Sequence, residues 1–329
     1  MYVPVFGCPF LAFYCIITPG EKSPGVILRF VKGRSINMVY ARHQSFYIRD
    51  KWFSKGLKAV KQNKRFFFEE FAFETVGLGK NMLESLKYWL LAFDVLEERI
   101  EDGQRVHVLS ELGEILFGSD RLLQRSESLS ILHYHLVRNR KDLSTVFDWY
   151  FNRYKETMVS KGDLFNSFTT WVSQNEMKEV SQNSLKRDID CLIQFYTKVP
   201  DVNDPEDVLF CPFTKLYLMK SERSGERDDT IRKVSPEIST IGNSSLYYVL
   251  LDYDRISEDR LIGVDEIVNA DNLWGRVFNL TRNRVVEALN SLTTHDKYPI
   301  EYIRTNNLDY VRVPAISSVD YIKGELLKG

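Results

Sequence analysis

Residues 52–109 read WFSKGLKAVKQNKRFFFEEFAFETVGLGKNMLESLKYWLLAFDVLEERIEDGQRVHVL, and along them the hydrophobic period changes from helical to extended. From Trp52 to Asn63, Trp52, Phe53, Leu57 and Val60 recur at helical spacing, while Lys51, Lys55, Lys58, Lys61 and Lys64 crowd another face. That pattern predicts an amphipathic basic helix. A second helix is expected over Phe66–Thr75, with Phe67, Phe68, Phe71 and Ala72 along one side, and Gly77-Leu78-Gly79 stops it. A third, over Lys80–Phe93, places Met82, Leu86, Trp89, Leu90 and Phe93 inward and Lys80, Asn81, Glu84, Lys87 and Tyr88 outward. Leu96–Ile100 and Gln104–Leu109 then flank Asp102-Gly103, a dipeptide favoured in tight hairpin turns because both positions tolerate positive φ. Helix, helix, turn, helix, hairpin is the order of a winged helix-turn-helix. A helical bundle carrying one hairpin is the alternative that the pattern leaves open.

Charge concentrates at the start of this region. Between Tyr40 and Arg65, eight basic residues (Arg42, Arg49, Lys51, Lys55, Lys58, Lys61, Lys64 and Arg65) stand against the single acid Asp50. Asp252–Asp271, in contrast, holds seven acids against Arg255 and Arg260. The 329-residue chain has 44 Lys+Arg against 45 Asp+Glu, a formal charge of -1, so any surface that attracts a polyanion must be local. A merely solvated basic helix is the competing reading. With 44% hydrophobic and 27% charged residues the chain is a folded one, and its length suits about two domains of roughly 100–200 residues each.

On the N-terminal side, Val3–Thr18 is apolar but contains Pro4, Gly7 and Pro9, lacks a preceding basic region and falls short of the ~20 residues of a membrane span. Residues 1–37 are expected to be an extension outside the domain sequence, preferably upstream of a start at Met38, with a docking segment or a signal sequence as alternatives. On the other side, Ser110–Phe117, Ser126–Val137, Thr145–Tyr154, Asp163–Val172 and Ser184–Tyr196 show helical apolar spacing, which predicts a bundle offering support and dimerisation surfaces. Pro200–Pro205 breaks it, and Ser221–Thr230 reads as a loop or disordered excursion. Helices are expected again at Val264–Asn269, Asn272–Phe278 and Arg282–Leu292, the last capped by Thr281 and facing inward through Val285, Ala288, Leu289 and Leu292. Tyr302–Arg304 and Tyr310–Val313 flank Asn306-Asn307 as a second wing. The expected divisions are 1–37 extension, 38–120 winged helix-turn-helix, 121–200 helical bundle, 201–245 irregular linker and 246–329 C-terminal winged-helix-like domain.

In a helix-turn-helix the second helix of the pair enters the major groove, where polar side chains reach base edges while Lys, Arg and helix N-termini hold phosphates. Lys80, Asn81 and Lys87 are therefore the expected groove or phosphate contacts. Arg49, Lys51, Lys55, Lys58 and Arg105 are expected to neutralise backbone charge, and Arg282, Asn283 and Arg284 are the C-terminal counterparts. The Gly77–Asn81 turn is not a nucleotide-binding loop, because Lys80 is followed by Asn81 where Ser or Thr is needed. His133 and His135, two apart on a helix, point to different sides and are not expected to share a metal. His107, on the first wing, is expected to meet solvent or phosphate. His43-Gln44-Ser45-Phe46, with Arg49, Trp52, Lys55 and Gly56, is a denser set that fits a nucleic-acid backbone contact, water activation or a cap on the first helix. Cys8, Cys15, Cys191 and Cys211 form neither a C-x-x-C pair nor a zinc spacing and are expected to be reduced.

At this dense set the sequence resembles a bacterial family, domain of unknown function 4007, whose members accompany DNA phosphorothioate-modification genes. The matching residues are His43-Gln44-Ser45-Phe46, Arg49, Trp52, Lys55-Gly56, Leu78-Gly79-Lys80-Asn81-Met82, Trp89, Leu112-Gly113 and Leu132-His133-Tyr134, and the similarity runs from about Tyr40 into the C-terminal module. The resemblance implies a DNA-associated role beside a cysteine desulfurase, a sulfurtransferase-like enzyme and an ATPase; the nicking subunit of the Ssp-type system is similar in domain content. No carboxylate, tyrosine or histidine nuclease motif stands in the chain to be carried over.

The expected protein is thus mainly α, with a winged helix-turn-helix module near the N-terminus, a helical-bundle middle and a second winged-helix module at the C-terminus. It is expected to be a cytoplasmic DNA-binding subunit of a phosphorothioate modification and defence system, acting on double-stranded DNA with sulfurtransferase-like and ATPase subunits, and not on membranes. A nickase using Mg²⁺ or Mn²⁺ held by scattered acids is the catalytic alternative, and no cofactor is expected otherwise. A non-catalytic adaptor or transcriptional regulator is the other alternative, and a homodimer is compatible with all of them.

Overall fold

In the computed structural model, which describes residues 38–199, 210–224, 227–253, 259–305 and 308–327, helices dominate and the strands are confined to three small antiparallel sheets. The basic amphipathic stretch forms α1 (Trp52–Gln62), followed by a 3₁₀ turn at Phe66–Phe68, α2 (Ala72–Thr75) and α3 (Lys80–Ala92). The hairpin of β1 (Leu96–Glu101) and β2 (Gln104–Leu109) turns at Asp102 and Gly103, whose φ values of 51° and 74° are those the dipeptide was expected to adopt. Next come α4 (Glu111–Ser119), α5 (Ser126–Arg138) and α6 (Thr145–Asp148), the last running into a π-helical turn at Trp149–Arg153.

Beyond this point a short strand, then helices, then a hairpin follow one another twice, with two α-helices in the first instance and three in the second. Strand β3 (Met158–Ser160), helices α7 (Lys161–Asn175) and α8 (Gln182–Thr197), and the hairpin β4 (Met219–Ser224) and β5 (Arg227–Lys233) form a sheet in the order β3-β5-β4. After α9 (Ile238–Ile241) and α10 (Asn243–Asp252), the order returns as β6 (Leu261–Gly263), α11 (Val264–Asn269), α12 (Trp274–Val277), α13 (Arg282–Leu292), β7 (Glu301–Thr305) and β8 (Leu308–Arg312). That sheet runs β6-β8-β7, so in both cases a short first strand pairs with the second strand of the hairpin. Helix α14 (Ser318–Leu326) closes the described chain.

One continuous apolar core spans Tyr47 to Leu326, and Asn37–Gly329 forms one compact unit. Its centre is aromatic. Trp89, fully buried on α3, lies 4.9 Å from the ring of Phe195 on α8 and 5.8 Å from those of Phe93 and Phe147; such pairs contribute about 0.5–1.5 kcal/mol each beyond area burial. Gly56 permits the close crossing of α1 and α3, because a Cβ there would meet Leu90 Cδ1 at 2.4 Å. His133 joins three elements. Its Nε2–H donates to the Val277 carbonyl on α12 at 2.7 Å, and the Tyr196 hydroxyl of α8 donates to its Nδ1 at 2.8 Å. Burial pushes this imidazole down to about 4, so it is neutral in the fold.

Several expectations are corrected here. The continuous helix over Phe66–Thr75 is two short pieces, because extended backbone at Glu69 lets Phe66 and Phe67 turn into the core and leaves Phe71 exposed. Of the stretch Ser221–Thr230 that was read as a loop, residues 221–224 and 227–230 are strand residues of β4 and β5, and part of the stretch 201–245 that was expected to be irregular is likewise ordered into these strands, with Pro212–Leu216, α9 and part of α10 falling in it too. Met219 and Ile231 bury the inner face of this hairpin, and its outer face is charged, which hides the alternation. Tyr88 is buried rather than outward, its hydroxyl donating to the Leu143 carbonyl at 3.1 Å. Thr281 occupies the N-cap position of α13 without a side-chain cap bond. Residues 1–37, with Cys8 and Cys15, and the Pro200–Pro205 break lie outside the described residues; Cys191 and Cys211 are free and buried. Among the described residues no helix is long and apolar enough to cross a membrane.

Candidate nucleic-acid interface

The dense set before α1 forms a structural clasp. The backbone N–H of Ser45 donates to His43 Nδ1 at 3.0 Å, which places the ring proton on Nε2, where it donates to Asp188 Oδ1 at 2.8 Å. The same carboxylate oxygen accepts from the Ala41 N–H at 2.9 Å. His43 and Asp188 are 1% and 4% exposed, so this pair ties the segment before α1 to α8 and meets no solvent. The Phe46 carbonyl accepts from Trp89 Nε1 at 3.0 Å and from the Ser85 hydroxyl at 3.2 Å. Gln44 and Ser45 carry the positive φ values, 52° and 65°, that bend the loop into this shape. His43, Phe46, Trp52, Gly56 and Trp89 are thus packing residues, with Gln44 shaping the bend. Asp188 was missed, although one signal was visible: a lone carboxylate on the apolar stripe of Leu185, Ile189 and Leu192.

The basic row behaves differently along its length. Lys51 and Lys58 are exposed, and no ion-pair partner is described for either. Between them, the Lys55 ammonium donates to the Val76 carbonyl at 2.8 Å, tying the row to the turn that leads into Lys80. Lys61 and Lys64 are paired with Glu114 at 2.6 Å and Glu101 at 2.8 Å. At the start of α3, Gly79 takes the N-cap position, and Lys80 and Asn81 stand exposed in the first turn with Met82 half-buried behind them. Lys87, further along, is held by Glu84 at 2.6 Å. Arg49 is half-buried, its guanidinium 5.3, 5.9 and 5.4 Å from the rings of Phe46, Tyr47 and Trp52. Arg105, on β2, is exposed with only a long contact of 3.9 Å to Glu98.

The expectation that His107 meets solvent or phosphate is corrected: it is 1% exposed, stacked on Phe68 with ring centroids 4.9 Å apart. Burial lowers its pKa. In the C-terminal region Arg282 pairs with Asp265 and lies 3.6 Å from Asp309, and Arg284 pairs with Glu237 and, at 3.0 Å, with Glu287. Asn283 is exposed beside them. Among the described residues no three His, Cys, Asp or Glu side chains are grouped so as to hold a metal ion.

The sequence profile of a family described as Protein of unknown function (DUF4007) matches residues 40–327. A comparison with curated proteins finds no match. Two crystal structures of SspB are similar in fold. The one with a magnesium ion bound has a TM-score of 0.77 at 21% identity, with 88% of this chain and 87% of that chain covered. The other has a TM-score of 0.76 at 23% identity, with the same 88% and 87% covered.

Proposed function

This chain belongs to the DUF4007 family, and from that premise we propose that it is the DNA-binding subunit of a bacterial DNA phosphorothioate modification and defence system. In this reading α1–β2 is a winged helix-turn-helix module in which α3 is the groove helix and β1–β2 the wing, and β6–β8 is a second winged helix. The observation that carries the reading is the set of exposed cations without described carboxylate partners, Lys51 and Lys58 on the α1 row and Lys80 opening α3. Asn81 adds a polar side chain in the turn from which base edges are read. Each phosphate neutralised by such a cation releases counterions, giving binding a salt-sensitive term. The sulfurtransferase-like and ATPase partners follow from the family resemblance, and the cytoplasm is the compartment in which they would meet chromosomal DNA.

Nicking of the bound duplex is the second reading, favoured by the magnesium ion in one of the SspB structures. Incubation of the purified chain with supercoiled plasmid, with and without Mg²⁺ or Mn²⁺, separates the readings when each reaction is run before and after protein removal. A shift that vanishes with the protein supports binding alone. Open circles that persist and require metal support a nickase. Intact, unshifted plasmid at low salt contradicts both and leaves an adaptor that contacts proteins.

A further inference from the structure

We propose that Arg65 and Arg105 form a phosphodiester clamp beside the turn end of the β1–β2 hairpin, where Arg105 pairs with Ile100, with Phe68 as the platform that positions them. This rests on the DNA-binding reading above and adds Arg65 and Phe68 to its residues. The two guanidinium carbons lie 5.6 and 5.5 Å from the centroid of the same Phe68 ring, and both arginines are exposed. The platform is built from below. His107 stacks on Phe68 at an interplanar angle of 17°, Phe67 meets His107 edge-on at 5.5 Å, and Phe66 packs on Phe67 at 5.1 Å. Neither nitrogen of the buried His107 ring has a partner within hydrogen-bond range, the Glu98 carboxylate standing 3.7 Å from Nε2, so the imidazole serves chiefly as a flat spacer.

The backbone fixes both arms. The His107 N–H donates to the Lys64 carbonyl at 2.8 Å, and Arg65 Nη1 donates to the Arg105 carbonyl at 3.2 Å. Two cations sharing one ring repel each other, and the surrounding carboxylates do little to relieve that. Glu98 stands 3.9 Å from Arg105, beyond hydrogen-bond range, and no carboxylate partner is described for Arg65. Neighbouring cations are treated otherwise: Lys64 is held by Glu101 at 2.8 Å and Arg99 by Glu97 at 2.6 Å. Guanidinium forks match the oxygens of a phosphate. Arg65 continues the basic row that begins at Lys51, so a repeating polyanion, rather than an isolated carboxylate, is the ligand that meets the row and the clamp together.

The test is equilibrium binding of a fluorescent duplex over a range of salt concentrations. Arg65→Ala with Arg105→Ala is expected to weaken binding on the order of tenfold to a hundredfold and to flatten the log–log salt slope by about 2, one unit per lost phosphate contact. Phe68→Leu is expected to weaken binding a few-fold (~3) with the slope kept, because the charges remain but lose their common platform. Glu98→Gln is expected to strengthen binding roughly twofold by removing the competing carboxylate. Wild-type affinity and slope in the alanine pair, with unchanged melting, overturn the clamp while leaving the DNA reading intact; failure of the unmodified protein to bind overturns the DNA reading itself. If the alanine pair fails to fold, Glu98→Gln decides, since an unchanged affinity there contradicts the clamp.

Discussion

The region α1–β2 and the region β6–β8 share an order of helices followed by a hairpin. Although Lys61, Lys64 and Lys87 of the first are ion-paired, several of its exposed cations lack the acids that hold both arginines opening the last helix of the second. On the first, Lys51, Lys58 and Lys80 stand exposed without described carboxylate partners. On the second, Arg282 and Arg284 are each gripped by two acids. Sequence pattern alone assigns both regions the same role, because a side-chain count on a helix face does not register Asp265, Asp309 or Glu237, which arrive from other elements. The difference teaches that the electrostatic capacity of a basic helix is set by tertiary pairing rather than by its own residues.

The largest effects test whether the regions are equivalent as packing units. Trp89→Ala and Trp274→Ala each empty a fully buried indole site whose Nε1–H donates to a carbonyl, that of Phe46 at 3.0 Å and that of Leu246 at 2.9 Å. Each is expected to cost about 3–5 kcal/mol in urea unfolding. A large loss at one site with a small loss at the other would show that only one region is part of the cooperative core.

Acid sensitivity comes next. Because the folded His133 sits at about 4, below its ordinary 6.5, protons bind the unfolded chain more readily in that window. Stability is therefore full above about pH 6.5 and falls on the order of 1 kcal/mol per pH unit as pH drops towards 4. Asp94 extends the loss: burial opposes its ionisation, but His135 and Lys141 outweigh it and bring the carboxyl down to about 2, so its contribution fades between pH 3.8 and 2. Denaturant midpoints at pH 7, 5.5 and 4.5 check the first window; a flat profile would contradict the burial of a neutral His133 that joins α5, α8 and α12.

Smaller changes sharpen the electrostatic contrast. Asp265→Asn with Glu237→Gln removes one of the two acids beside each of Arg282 and Arg284, leaving Asp309 and Glu287, and is expected to raise duplex affinity roughly threefold at low salt. Mobility-shift titration reads this directly. No change would mean that the C-terminal region faces away from the DNA whatever its charge.

Much of the fold was legible because its signals are local. The hydrophobic stripes of α1, α3 and α13 fix those helices nearly to the residue, and Asp102-Gly103 marks the first hairpin. What stayed hidden depends on partners distant in sequence. Tyr88 is covered by the Leu143 segment, His107 is roofed by Phe68, and the β4–β5 hairpin buries so few side chains that its strands read as a polar loop. The candidate site was legible in part. The proposed cations could be named from sequence, Lys51 and Lys58 by counting charges and Lys80 by its place at the start of the expected groove helix, whereas the clasp role of His43 required Asp188, 145 residues away, and the arginine pair required β2 to fold back on the end of α1.

The most direct measurement is the salt dependence of duplex affinity for the wild-type chain, for Lys58→Glu with Lys80→Glu, and for Arg282→Glu with Arg284→Glu. The expected result is a steep wild-type slope that flattens by about 2 in the first variant, with affinity reduced on the order of a hundredfold, while the second stays within roughly threefold of wild type. Equal losses in the two variants, or none in the first, would contradict the assignment of DNA engagement to the unpaired cations of α1 and α3.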